Sequence, residues 1–257
     1  MVKGRSLSLL VLCAACTQRG AILELEPGVD AALPGDSGAQ PDARDEPPEP
    51  RDVASDARLG LAVVLVDAQS PAHANDALLE EHLRQVGFTV EERSYVDAVD
   101  AGEGIAVLVL SSSLLAGQID PALPDRPIPV VVLESFSYER LGMTGNVQMD
   151  DFGAVDATTI DVEAGPFAIG PTGSVIVHMP ASAINYGRPS PGAIVGARLP
   201  GFADRVSTFG YEAGASMVGR TAPARRVGVF LRTGTIGSLT PAAWELFDTA
   251  VRWAAQP

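Results

Sequence analysis

The run Leu61-Ala-Val-Val-Leu-Val66 decides how this chain folds. Six consecutive apolar residues with no polar alternation mark a strand buried on both faces, as in a parallel sheet covered on two sides. Ser70-Pro71 follows, a cap and first-turn pair for a helix. Leu79, Leu83 and Val86 then form a helical stripe, with Glu80, Glu81, Arg84 and Gln85 facing outward and Gly87 as a natural stop. The segment 88–94 alternates like a half-exposed strand. Ile105-Ala-Val-Leu-Val-Leu110 and Ile128-Pro-Val-Val-Val-Leu133 repeat the buried-strand pattern. Strand, helix, strand and further buried strands predict an α/β domain with a mainly parallel sheet and right-handed crossovers.

Toward the C-terminus the pattern shifts. Over 144–221, short alternating runs are broken by Gly and Pro, which predicts a β-rich section with antiparallel pairs. Its expected strands are 158–162, 174–177, 193–199 and 206–211. The chain then returns to a strand at 226–232. Thr240-Pro241 opens a helix whose buried face carries Trp244, Phe247, Val251 and Ala254, widened by Leu246 and Trp253. All 14 aromatic residues fall after position 57, so the core belongs to one domain spanning 58–257.

Toward the N-terminus lie two segments of other kinds. Residues 17–57 hold six prolines and no aromatic residue, and residues 1–57 carry 10 acidic against 5 basic side chains. Such a stretch cannot bury enough surface to offset the entropy of ordering, and reads as a disordered, extended acidic tether. Residues 1–16 read as an export signal: Lys3 and Arg5 supply the charge, 7–12 the short apolar run, and Ala14-Ala15 the small residues before a cleavage site. Leu12-Cys-Ala-Ala-Cys16 resembles a bacterial lipobox, with Cys13 standing where an aliphatic residue is usual. That resemblance implies lipidation at Cys16, and Thr17 after it implies the outer membrane. Cys13 and Cys16 are the only cysteines, so the folded domain holds neither a disulfide nor a thiol nucleophile.

Charge narrows the partners. The formal net charge of −14, with Lys3 as the single lysine, excludes the clustered positive charge that a nucleic-acid binder needs. It also excludes a polybasic patch for an anionic lipid surface, so membrane association is expected through the lipid anchor alone. The first strand runs into Asp67-Ala-Gln-Ser-Pro rather than a glycine-rich phosphate cradle, and no cofactor is expected. Asp150, Asp151, Asp156, Asp161 and Glu163 are dense but lack the spacing of a calcium loop, so no metal is expected either.

The order of elements resembles the flavodoxin-like, class I glutamine amidotransferase-like fold, and within it the ThuA-like branch. The residues that carry it are Leu65-Val-Asp67, Val107-Leu-Val-Leu-Ser111, Pro129-Val-Val-Val-Leu-Glu134, and Arg225-Arg-Val-Gly-Val-Phe-Leu-Arg-Thr233 followed by a helix ending Val251-Arg-Trp253. Amidotransferases place a cysteine on a glycine-flanked strand-to-helix elbow. This chain has Leu133-Glu-Ser-Phe-Ser137 there. ThuA-like chains tend to carry a histidine at that strand end and another after the last strand, where this chain has Glu134 and Thr233-Gly-Thr235. The family's catalytic equipment does not carry over.

Three histidines remain. His82 is expected on a solvated helix face, and His178 as a hydrogen-bonded structural residue of the β-rich section. His73 falls near the ligand face. A triad of Ser135, His178 and a carboxylate is conceivable but lacks the strained elbow. Ligands of open parallel sheets bind at the carboxyl ends of the strands. That places Asp67, Gln69, His73, Ser111, Ser112, Ser113, Glu134, Ser135, Thr233 and Thr235 as candidate binding residues, a polar ring suited to hydroxyl-rich ligands. Two functions follow. One is a non-catalytic envelope module binding a carbohydrate or a protein partner. The other is a carbohydrate-active hydrolase or isomerase using Glu134 and Asp67 as acid and base.

Overall fold

The structure, a computed structural model, describes residues 59–97, 104–170 and 172–256. The expected export signal, Cys16 and the expected tether lie outside the described residues. The first five strands in space form the parallel half of one sheet, in the order β2 (Thr89–Ser94), β1 (Leu61–Val66), β3 (Ile105–Leu110), β4 (Val130–Val132) and β11 (Arg226–Gly228). Beyond β11 the sheet continues antiparallel through β10 (Val206–Tyr211), β9 (Ile194–Arg198), β6 (Thr159–Val162) and β7 (Gly173–Ile176). A side ladder of β5 (Phe152–Ala157) and β8 (Ser182–Gly187) joins at Gly187 and Val206. The expected β-rich section is therefore an extension of the same sheet. Within it the sequence reading omitted β5 and β8, because Phe-Gly-Ala-Val-Asp-Ala and Ser-Ala-Ile-Asn-Tyr-Gly lack the β-branched density that marks a strand.

Both faces of the parallel half are covered, as the unbroken apolar run of β1 requires. Ala62, Val64 and Val66 face one core with Leu79, Leu83 and Val86 of α1 (Asp76–Val86), and with Leu246, Phe247, Ala250 and Val251 of α2 (Pro241–Ala255). Val63 and Leu65 face the other, against Leu114, Ile119, Leu123, Ile128 and Tyr138. Each fully buried side chain of this size contributes about 1.5–3 kcal/mol. Among the described residues the second face carries no α-helix. Between β3 and β4 the chain makes two 3-10 turns, Ala116–Gln118 and Leu123–Asp125, because Pro121, Pro124, Pro127 and Pro129 remove the N–H groups an α-helix needs.

Helix ends follow their local chemistry. Ser70 caps a 3-10 turn, Pro71–Asn75, with Pro71 at its first position, and α1 begins only at Asp76. Gly87 ends α1 in the left-handed region at φ 112°. Thr240 caps α2 by accepting from Ala243 N at 3.2 Å.

His82 departs from expectation. It is part-buried rather than solvated: its Nε2 lies 2.6 Å from Asp248 Oδ1 and its ring stacks on Trp244 at 3.9 Å, pinning α1 to α2. Both helices lie on one face of the sheet, and their mutual contact partly covers a position that a single helical wheel leaves outside.

Candidate functional site at the strand ends

The spatial order β2-β1-β3-β4-β11 reverses direction at β1, so the connections that leave the carboxyl ends of β1 and β3 diverge and leave the crevice where such sheets bind ligands. A cleft of about 350 Å³ lies there, lined by Ser70, Ser112, Ser113, Leu114, Leu115, Ala116, Glu134, Phe136 and Arg232. This is the size range of small-molecule sites. Leu114, Leu115 and Phe136 give it apolar walls, and the serines and the Glu134–Arg232 pair supply polar groups.

Glu134 follows β4 in an extended conformation, and its backbone opens the 3-10 turn Ser135–Ser137. Its side chain is only 6% exposed, with Oε2 held by Arg232 Nη2 at 2.7 Å and Oε1 by Phe136 N at 3.3 Å. Burial pushes its pKa above the ordinary glutamate value, opposed by the Arg232 charge, the Phe136 N–H and the Ser135 hydroxyl. The turn is unstrained: among the described residues Met149 is the only non-glycine with positive φ. Position 135 is therefore no nucleophile elbow.

Beneath the cleft the serines form a buried network around Asp76, at the N-terminus of α1. Ser111 Oγ donates to Asp76 Oδ1 at 2.5 Å, and receives Ser113 N at 2.9 Å and Ser113 Oγ at 3.0 Å. Thr233 N donates to Ser112 Oγ at 2.8 Å, and the two hydroxyls lie 2.6 Å apart. His73 Nδ1 meets Asp76 Oδ2 at 3.2 Å, with its Nε2 3.9 Å from Glu92. One cluster thus ties the 3-10 turn before α1, the end of β3 and the segment after β11.

The other candidates serve the rim. Gln118 Nε2 holds Asp67 Oδ2 at 2.8 Å and Gln69 N meets Oδ1 at 3.0 Å, and these two bonds, Gln118 foremost, lower the Asp67 pKa. Asp67 is outside the cleft lining, so the expected acid–base pairing of Asp67 with Glu134 is not assembled in this cleft. Gln69 is exposed, and Thr235 Oγ1 donates to Arg232 O at 3.0 Å. The conceivable triad is not formed. Ser135 is buried in the Glu134 turn, while His178 Nδ1 binds Ser238 Oγ at 2.8 Å. Burial lowers the His178 pKa, as befits a structural residue. Among the described residues no group of acids, histidines and cysteines could hold a metal ion.

Four residues that build or support the strand-end site go unmarked in a reading of the sequence: Asp76, Gln118, Asn185 and Arg232. Arg232 had a signal, since a charge directly after Val-Phe-Leu at a strand end mirrors Glu134 after Val-Val-Leu. Asn185 had none. It sits on the unexpected β8, fully buried, with Nδ2 donating to Leu133 O and Leu231 O, both at 3.0 Å.

No protein-family model and no curated protein matches this chain. Solved structures do. A ThuA-like protein of Bacteroides uniformis superposes with a TM-score of 0.50 at 11% identity, covering 80% of this chain and 94% of that one. A GMP synthase component of Thermoplasma acidophilum gives 0.43 at 15% identity over 76% and 94%. An exo-β-1,4-mannosidase of Opitutaceae bacterium strain TAV5 gives 0.47 at 8% identity over 74% of this chain and 35% of that one. With its sheet order and uncovered strand ends, the domain has the ThuA-like, glutamine amidotransferase-like α/β fold.

Proposed function

We propose that this chain is an exported, lipid-anchored envelope protein whose α/β domain binds a carbohydrate in the strand-end cleft without transforming it. The cleft itself carries this reading. It is concave and of small-molecule size, with apolar walls, serine hydroxyls and a charged pair whose carboxylate is satisfied internally. Such a surface fits a hydroxyl-rich ring better than a flat protein partner. The separation of roles between Glu134, in the cleft, and Asp67, tied to Gln118, favours binding over acid–base chemistry. Calorimetric titration of the full chain against a saccharide panel tests it: saturable binding that Arg232→Ala weakens at least tenfold supports the reading, and no binding across the panel defeats it.

A second reading has one observation in its favour. Burial raises the Glu134 pKa, the direction a general acid needs. If the domain is a hydrolase or isomerase, saccharide turnover should follow a pH profile that Glu134→Gln abolishes.

A further inference from the structure

The hydroxyl network beneath the cleft has a definite direction. A serine or threonine hydroxyl owns one hydrogen and two lone pairs. The Ser111 hydrogen goes to the Asp76 carboxylate at 2.5 Å. Its two lone pairs are filled by Ser113 N–H and Ser113 O–H, at 2.9 and 3.0 Å. Thr233 Oγ1, a longer 3.3 Å from Ser111, therefore has no acceptor there and donates to Ser112 Oγ at 2.6 Å. Ser112 Oγ also accepts from Thr233 N at 2.8 Å. Both of its lone pairs are then occupied, and its own hydrogen is left for the cleft it lines.

The neighbouring groups have the same polarity. Arg232, 28% exposed, spends one of its five N–H donors on Glu134. Ser70 Oγ accepts from Ala72 N at 3.3 Å and keeps its hydrogen. Of the acceptors in the lining, Glu134 is 6% exposed with both oxygens already bonded, and Ser113 is 2% exposed.

We infer that the wall formed by Ser112, Arg232 and Ser70 is a donor-rich subsite for the acid group of an acidic sugar, a carboxylate or a phosphate, which rests on the carbohydrate reading of the cleft. Buried Asp76 acts as its positioning residue, because it sets the direction of every hydroxyl between itself and Ser112. A neutral sugar would satisfy these donors less well, since hydrogen bonds to a charged acceptor are the stronger ones.

Titration of the full chain with D-glucose, D-glucuronate and D-glucose 6-phosphate tests the subsite. At least one acidic sugar should bind tenfold or more tightly than glucose, the two telling carboxylate from phosphate, and Ser112→Ala should erase that preference. Equal affinity for all three, or a preference for glucose, overturns the inference and leaves the carbohydrate reading standing. Binding of none overturns both. If Ser112→Ala fails to fold, neutron diffraction from the deuterated protein decides. A deuteron on Ser112 Oγ pointing into the cleft is expected, and one pointing to Thr233 Oγ1 overturns the inference.

Discussion

Arg232 Nη2 stands 2.7 Å from Glu134 Oε2, joining the ends of two neighbouring parallel strands across the floor of the cleft. The pair is partly desolvated, so its Coulombic gain is offset by the cost of drawing both charges from water. Removing Arg232 is the damaging change, because Glu134 is left buried without its counter-charge. This makes the pair a fixed element of the cleft rather than a free acid beside a free base.

The raised Glu134 pKa has a signed consequence for stability. Just above the ordinary glutamate range the folded protein holds a proton that the unfolded chain has released. That contribution is complete at lower pH and is lost as pH rises through the folded-state value. Thermal melts of wild type and Glu134→Gln from pH 4 to 7 should therefore show the variant gaining relative stability as pH rises. A pH-independent difference would mean that Glu134 titrates normally.

His178 has the opposite dependence. It is fully buried, and burial holds its pKa below the ordinary imidazole value. As pH falls below that value the unfolded chain takes up a proton that the folded state refuses, and stability is lost. His178→Gln should flatten this acid-side loss, measured as the slope of unfolding free energy between pH 7 and 5.

Asn185 closes the strand ends from beneath. Asn185→Leu would strand the Leu133 and Leu231 carbonyls, each directly before a member of the charged pair. A cost of about 2–4 kcal/mol is expected in denaturant unfolding. Ligand affinity should fall as well, because Glu134 and Arg232 lose their common support. An unchanged midpoint would assign the β8 contact no structural weight.

The pin between the helices is testable alone. His82→Ala removes the 2.6 Å bond to Asp248 and the stacking on Trp244, none of them among the residues that line the cleft. It should cost about 1–2 kcal/mol, and each kcal/mol lowers Tm by about 2–4 °C for a domain of this size. Ligand binding should stay at the wild-type level.

Lipidation is a matter of chemistry at one residue. Cells fed a clickable palmitate analogue should label the wild-type chain and not Cys16→Ala, and the variant should leave the membrane fraction. Equal labelling of both would dismiss the anchor.

What could be read from the residues in order was whatever depends on local composition. Leu61-Ala-Val-Val-Leu-Val66 and its two counterparts announced doubly covered strands, because an apolar run without alternation has no solvent face to offer. Glu134 and Ser111–Ser113 were legible as strand-end polar groups for the same reason, each following directly on a buried run. Tertiary structure alone decided the rest. β5 and β8 exist through pairing with one another, with propensity too weak to announce them. Arg232 meets Glu134, and Asp76 meets Ser111, across 98 and 35 positions of chain. How far His82 is covered, and which way the Ser112 hydrogen points, depend on neighbours brought by the fold. A hydrogen bond or a buried contact is a property of two groups in space, and sequence order carries only one of them at a time.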